Sequence, residues 1–283
     1  ARCGSCASAA PMAAQINSKC SSVSSHVVGS TQSTNRVTLT AAYLFPLAAP
    51  IVSELTSDDT ASFHFVHGPC VAVPPEGFNE YFGKPPYYRF IEPDEDTKET
   101  ASDDILDRIR DFPDGETPED TMRELMTEGL ATSHRSFHAA LRYLVDIMER
   151  EGPFDGIIGY SEGATVAATL LLHEQRRLKK KKIQPMFKYA IFFAGWPPVD
   201  PESHWMILAD ESDEMITIPT CHIIGSLDPY VHGSMALYNV CDPDKAYLFD
   251  HAKGHTLPRD KDTVKELGDV VRAAKKEYRI GLL

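Results

Sequence analysis

An apolar run, a tight serine turn and an Ala-rich stretch follow one another without a break between residues 154 and 175. The turn, Gly159-Tyr160-Ser161-Glu162-Gly163, matches G-x-S-x-G, a motif too short to carry a conclusion alone. Its setting is informative, because a strand entering such a turn and a helix leaving it hold the serine in a strained conformation with Oγ exposed. We therefore predict a strand, a sharp turn and a helix here, with Ser161 as a candidate nucleophile. A serine in an ordinary strand-to-helix turn is the alternative.

Strand and helix patterns alternate from residue 133 to the end of the chain. Fully apolar runs predict buried parallel strands, and apolar residues at helical spacing predict the helices between them. This alternation implies right-handed strand–helix–strand units around a parallel sheet, and therefore an α/β fold. The predicted strands are 154–159, 189–194, 221–225 and 246–249, and the predicted helices are 133–151, 164–175, 234–239 and 261–276.

The first half of the chain is less regular. Residues 17–41 are rich in Ser, Thr, Asn and Val without a helical or strand period, which predicts a linker or insertion. Residues 62–66 predict one short strand. Residues 67–93 are dense in Pro, Gly and aromatic residues, which predicts an irregular loop. The acidic and polar stretch that follows predicts one short helix over 102–110.

A serine nucleophile needs a general base, and the base needs an orienting acid. In the strand–turn–helix setting of this motif, the acid and then the base follow the serine along the chain. Asp228 comes directly after the predicted strand over 221–225, and His255 follows the last predicted strand beside Gly254. We predict a triad of Ser161, Asp228 and His255, with the backbone N–H of Glu162 as an oxyanion donor at a helix N-terminus. The less well placed alternatives are Asp200 and Asp242 for the acid and His251 for the base.

Charge and cysteine content restrict the partners and the compartment. The chain has 28 Lys and Arg residues against 41 Asp and Glu residues, a net charge of −13, which argues against nucleic acid and anionic membranes as partners. Its longest apolar run, 39–52, is too short to span a bilayer, and no signal-peptide pattern opens the chain. The six cysteines are scattered, and Cys3 and Cys6 lack the second ligand pair of a zinc site. We predict a cytoplasmic protein without metal or cofactor.

Five short segments of the chain form a recognisable combination of motifs. They are Phe-Asp-Gly-Ile-Ile-Gly-Tyr-Ser-Glu-Gly-Ala at 154–164, Gly-Ser-Leu-Asp-Pro at 225–229, Gly-His-Thr-Leu-Pro at 254–258, Phe-Val-His-Gly-Pro at 65–69 and Pro-Tyr-Tyr-Arg-Phe at 86–90. In combination they resemble the fungal serine hydrolases of the FSH type (family of serine hydrolases), over about residues 49–277. The resemblance implies an α/β-hydrolase with a mostly parallel central sheet, helices on both faces and no large lid. It also implies esterase or thioesterase activity, and several fungal members resemble releasing or trimming hydrolases of polyketide pathways.

The N-terminus departs from this family. Members open with an apolar strand and then His-Gly-x-Gly-x-Ser-Ala, whereas this chain has only Cys3-Gly-Ser-Cys-Ala-Ser-Ala9 and no preceding strand. By this alignment the second oxyanion donor is the N–H of Ser5, and residues 17–48 are an insertion with no structural role. We therefore predict an atypical N-terminal segment over 1–48 and an α/β-hydrolase domain over 49–283.

Two aromatic segments are candidates for the substrate pocket. Tyr87 and Tyr88 stand in one, and Trp196 follows the predicted strand over 189–194 in the other. A loop after a parallel strand opens at the carboxyl edge of the sheet, where ligands bind in α/β folds. Aromatic side chains there suit an apolar or planar acyl group, and packing of the loops onto the domain is the alternative.

The expected function is hydrolysis of an ester or thioester, with the acyl group carried by a small molecule or by a carrier protein. The acyl chain expected from the resemblance is of polyketide type. A general small-ester carboxylesterase and a non-catalytic α/β-hydrolase-like binding protein are the alternatives. A nucleotide-binding dehydrogenase is excluded because no Gly-rich loop follows a strand.

Overall fold

Short segments rich in apolar and β-branched residues form the strands. The computed structural model describes residues 36–40, 45–72, 86–92, 112–127 and 134–280. The strands are β1 (Arg36–Thr40), β2 (Ser62–Val66), β3 (Cys70–Ala72), β4 (Tyr87–Arg89), β5 (Gly156–Tyr160), β6 (Tyr189–Phe193), β7 (Thr220–Ile224) and β8 (Ala246–Asp250). Six of them form one sheet in the order β2-β1-β5-β6-β7-β8, in which every pairing is parallel, and β3 pairs with β4 antiparallel.

Helices cover both faces of the sheet, as predicted. Within the described residues they are α1 (Phe45–Thr56), α2 (Pro118–Thr127), α3 (His134–Glu151), α4 (Glu162–Lys181), α5 (Val231–Asn239) and α6 (Lys261–Ile280). Successive strand residues point to opposite faces, so Ile157 packs into the core under α3, α4 and α5, and Ile158 into the core under α1 and α6. Both layers bury their apolar stripes against the sheet, which is the arrangement of a doubly covered parallel sheet.

The chain path brings the serine turn to the middle of one sheet edge. From β1 the chain moves outward to β2 at one end of the sheet, and later returns to β5 on the other side of β1. Thr40 at the end of β1 pairs with Gly159, two residues before Ser161. Ligands of open α/β sheets bind at the carboxyl ends of the strands where the order reverses in this way, so this edge is the expected place for a site.

The expectation of an insertion without structural role over 17–48 is wrong for its last part. Arg36–Thr40 forms β1 in the interior of the sheet, bonded to β2 and β5, and α1 begins at Phe45. The boundary predicted between residues 48 and 49 therefore falls inside a helix. The five residues Arg-Val-Thr-Leu-Thr have high strand propensity, but their Ser- and Thr-rich surroundings obscure that signal. Residues 1–35 lie outside the described residues.

Two further differences concern the irregular first half. Residues 67–93 contain the pair β3 and β4, whose three-residue strands are too short to give a readable alternation. The helix α2 was not expected, and the predicted helix over 102–110 lies outside the described residues. In the second half the predicted strands and helices are confirmed, with α4 reaching Lys181 and α5 starting at Val231. Among the described helices, none combines the length and apolar character needed to cross a bilayer.

Candidate active site

The serine turn has the strained geometry that its sequence predicts. Ser161 lies between β5 and α4 with φ 52° and ψ −124°, a backbone region that non-glycine residues rarely adopt. Its N–H donates to the Phe193 carbonyl at 2.9 Å, which fixes the turn against β6. A Cβ atom on Gly159 would stand 2.4 Å from Ala164 Cα, so only glycine allows β5 and α4 to approach this closely.

The structure brings Ser161, His255 and Asp228 together in one chain of contacts. His255 Nε2 lies 3.2 Å from Ser161 Oγ, and His255 Nδ1 lies 2.7 Å from Asp228 Oδ2. Asp228 is almost fully buried, and its Oδ1 accepts the Tyr230 backbone N–H at 2.9 Å. The His255 side chain keeps 24% of its surface exposed. In this geometry the imidazole can take a proton from the serine hydroxyl while a buried carboxylate holds its other nitrogen.

The loops that carry Asp228 and His255 are joined to each other. Leu227 donates its N–H to the Lys253 carbonyl at 3.1 Å. A Cβ atom on Gly225 would stand 2.0 Å from that same carbonyl oxygen, so the two loops are in backbone contact where they leave β7 and β8. Asp228 and His255, 27 residues apart in sequence, are therefore held by one shared backbone framework.

The alternative acid and base residues form no hydrogen bond with Ser161 or His255 among the described residues: the two aspartates pair with cations, and the histidine is buried. Asp200 accepts Arg176 Nη2 at 2.8 Å, and Asp242 pairs with Lys245 Nζ at 2.9 Å. His251 is buried at the end of β8, and burial lowers its pKa. Its Nδ1 has no hydrogen-bond partner among the described residues. Contacts with Ser161 and Asp228 therefore favour His255 over His251 as the base.

Aromatic rings surround His255. The centroids of the Tyr160 and Tyr230 rings lie 5.2 Å and 5.1 Å from that of the imidazole, and the Tyr230 ring is at 78° to it. Tyr230 continues outward to Phe112 at 5.2 Å, and Phe112 in turn lies 5.6 Å from Trp196. Trp196, predicted as a pocket residue, thus belongs to an aromatic wall that begins at His255. Phe112 and Tyr230 were not predicted, although Tyr230 stands only two residues after Asp228.

Glu162 makes contacts with a different part of the site. Its Oε2 accepts the Phe90 N–H at 2.9 Å and its Oε1 accepts the Ile91 N–H at 3.3 Å. Arg89 Nη2 is 3.8 Å from Oε1. Burial raises the pKa of Glu162, against the opposing effects of Arg89 and the two backbone N–H groups. These contacts were not predicted, because the sequence argument used only the Glu162 backbone N–H.

The remaining predicted site residues divide into two groups. Tyr87 and Tyr88 lie in β4, directly before the segment that Glu162 contacts. Tyr87 is buried, and the Tyr88 ring stacks on His67 with centroids 4.3 Å apart. Their role as substrate contacts stays a prediction. Ser5, the predicted second oxyanion donor, lies outside the described residues.

The fold and the serine turn define an α/β-hydrolase, and comparison with known families agrees. The serine hydrolase (FSH1) family matches residues 51–267, which is more than half of the chain. The chain therefore belongs to the serine hydrolase (FSH1) family and is a hydrolase. The resemblance predicted over about residues 49–277 is thereby confirmed.

Individual relatives and structures are similar over defined regions. The chain is 34% identical to "Esterase FPY3" of Fusarium mangiferae over 53% of this chain and 70% of that protein. It is 33% identical to "Hydrolase phiM" of Talaromyces stipitatus over 47% of this chain, and spans only about half (54%) of that relative. A solved Bacillus cereus carboxylesterase superposes with a TM-score of 0.41 at 20% identity, over 87% of this chain and 90% of that one.

Proposed function

We propose that this protein hydrolyses an ester or thioester through a triad of Ser161, His255 and Asp228. The observation that carries the proposal is the position of His255, whose two ring nitrogens contact Ser161 Oγ and Asp228 Oδ2. His255 takes the hydroxyl proton as Ser161 Oγ attacks the carbonyl carbon, and gives that proton to the leaving alcohol or thiol. Water then attacks the acyl-enzyme, with His255 again accepting and returning a proton.

The negative charge that develops on the carbonyl oxygen requires a donor close to Ser161. The N–H of Glu162 opens α4, where the unsatisfied amide groups and the helix dipole both favour an anion. We assign it as one oxyanion donor. Because it belongs to the same turn as the nucleophile, its distance to the carbonyl oxygen is set when Ser161 attacks.

The acyl group is proposed to lie along the aromatic wall of Tyr230, Phe112 and Trp196. These rings are half-buried and in contact with one another from the base outward, and apolar aromatic side chains suit an apolar or planar acyl chain. A polyketide-type acyl chain held as a thioester fits this surface, and a small soluble ester is the competing substrate. Rates on p-nitrophenyl esters of graded length, compared with the matching N-acetylcysteamine thioesters, separate the two.

Labelling with a fluorophosphonate tests the triad, because only an activated serine reacts. We expect the wild-type chain to be labelled, and Ser161→Ala and His255→Ala to lose both labelling and esterase activity by about 10⁴-fold or more. Ser226→Ala is the matched control, since Ser226 is an exposed serine in the Asp228 loop and should leave labelling unchanged. A folded wild-type protein without labelling would support the alternative, a non-catalytic binding protein.

We also propose a cytosolic location. Cys70 and Cys241 are free thiols, and Cys241 is buried. Burial raises the pKa of Cys241 to about 12, which keeps this thiol protonated and unreactive. Fractionation of cells that express a tagged full chain tests the location; recovery in the secreted fraction would overturn it.

A further inference from the structure

The Glu162 side chain joins the nucleophile turn to the segment that carries β4. Phe90 and Ile91 follow β4 directly, and both of their backbone N–H groups point at the Glu162 carboxylate. Their side chains are buried, so the segment itself is anchored in the core. The carboxylate thus spans two elements that are 71 and 72 residues apart in sequence.

Other contacts hold the same segment without reaching Ser161. Ser136 Oγ accepts the Glu92 N–H at 2.7 Å, and Arg89 Nε donates to the Ile91 carbonyl. A Cβ atom on Gly68 would stand 2.1 Å from the Arg89 carbonyl carbon, which packs the backbone after β2 against β4. Glu162, by contrast, belongs to the nucleophile turn, and its carboxylate hydrogen-bonds the segment directly.

Burial disfavours the charged form of the Glu162 carboxyl group, whereas Arg89 and the two backbone N–H groups favour it. A carboxylate that accepts two backbone N–H groups and faces an arginine makes charge-assisted hydrogen bonds, which are directional. Such bonds fix an orientation more narrowly than apolar packing does. Fixing the Glu162 side chain also fixes the Glu162 backbone, which carries the assigned oxyanion donor.

We propose that the Glu162 side chain is a positioning residue, which holds the oxyanion N–H and the Phe90–Ile91 segment in place relative to Ser161. The proposal rests on the proposed function, because the N–H matters only if Ser161 is the nucleophile. It assigns the side chain of the residue after the serine a role separate from its backbone. An interaction that acts through the oxyanion donor is expressed in the transition state, so its removal lowers kcat more than it changes KM.

The test compares Glu162→Gln and Glu162→Asp with the wild-type chain. The glutamine keeps the shape, but its amide NH₂ faces one of the two backbone N–H groups, so one hydrogen bond is lost. The aspartate keeps the charge but is one methylene too short to reach both groups. We expect each variant to lower kcat on a p-nitrophenyl ester about tenfold and to change KM less than about twofold. The decrease is smaller than the roughly 10²–10³-fold loss caused by removing a donor, because the N–H is still present but less well positioned. The rate constant of fluorophosphonate labelling, which reports only on folded molecules, should fall in parallel.

Glu174→Gln is the matched control. Glu174 lies on the same helix about 18 Å from Glu162 along the axis, is buried, and accepts the Met186 backbone N–H at 3.0 Å. Burial raises the pKa of Glu174 as it does that of Glu162. We expect Glu174→Gln to keep kcat and the labelling rate within about twofold of wild type.

The outcomes separate this proposal from the proposed function. Slower labelling in both Glu162 variants but not in Glu174→Gln supports the positioning role. Wild-type rates in both Glu162 variants would overturn the positioning role and leave the triad unaffected. Equal losses in all three variants would also overturn it, because they would indicate general destabilisation. An unlabelled wild-type chain would overturn the proposed function and the positioning role with it.

Discussion

The two sides of Ser161 are held by different kinds of interaction. On one side, here called the base side, His255 is packed between the rings of Tyr160 and Tyr230 and pairs with Asp228. On the other, called the donor side, the Glu162 carboxylate binds two backbone N–H groups beside Arg89. The base side relies on ring packing and one hydrogen bond to a buried carboxylate, and the donor side on directional hydrogen bonds to a carboxylate.

In the mechanism that we propose, this difference follows from what each side has to do during hydrolysis. The base must change its charge and turn slightly as it passes a proton from Ser161 to the leaving group, and ring packing tolerates such small shifts because it is weakly directional. The oxyanion donor must stay fixed, because its value depends on alignment before the charge develops. Neighbouring residues of one turn, Tyr160 and Glu162, therefore serve opposite sides in different ways.

Removing the charge that orients the base should have the largest effect. In Asp228→Asn the amide oxygen keeps the Tyr230 N–H, so the amide NH₂ faces His255 Nδ1 and donates to it. The imidazole is then held in the wrong tautomer, and its cation loses the stabilising negative charge. We expect kcat to fall about 10⁴-fold while the fold is kept. Steady-state kinetics with circular dichroism as a fold check measure this, and a loss below tenfold would show that the base side does not depend on Asp228.

Removing a ring from the base side should have a moderate effect. Tyr230→Leu keeps apolar volume but loses the edge contact to His255, an interaction of about 0.5–1.5 kcal/mol, or roughly 2- to 12-fold in rate if it is fully expressed. The backbone N–H of residue 230, which binds Asp228, remains in this variant. Measured kcat values for short and long acyl esters should both decrease. A decrease confined to long esters would show that Tyr230 acts only through acyl binding and does not hold His255.

Removing only a hydroxyl from the base side should have a smaller effect. The Tyr160 hydroxyl donates to the His255 carbonyl at 3.3 Å, and burial together with the nearby Asp228 raises the pKa of Tyr160, so it is a neutral donor. Tyr160→Phe keeps the ring beside His255. We expect kcat to fall by no more than about threefold, in line with one long neutral hydrogen bond. A loss as large as that of Glu162→Gln would contradict the distinction between the two sides.

The donor side also predicts a small dependence of stability on pH. Because burial raises the pKa of Glu162 above its usual value of 4.5, the folded chain binds a proton there more readily than the unfolded chain. This contribution is fully present below pH 4.5 and is lost as the pH rises through the folded value. Wild type should therefore gain melting temperature relative to Glu162→Gln when the pH is lowered from 7 to 5. Parallel melting curves at the two pH values check the sign.

Much of the fold could be predicted where local pattern and burial agree. β6 is buried along its whole length, and its sequence is a continuous apolar run with a clear start and end. β7 is equally buried, although Thr220 and His222 interrupt its apolar residues. β1 was missed because its five residues stand in a polar, Ser- and Thr-rich stretch, and its place between β2 and β5 depends on pairing with strands far along the chain. Such pairing leaves no mark within the segment itself.

The sequence by itself determined the serine turn, the order of Ser161, Asp228 and His255, and the strand that precedes each. Those features are local, because a strained turn needs small residues beside it and a loop residue after a parallel strand always lies at the same sheet edge. Only the tertiary structure decided that His255 rather than His251 meets Ser161, and that Glu162 binds Phe90 and Ile91. These contacts join residues that are distant in sequence, and their geometry is fixed by how helices and loops pack on the sheet.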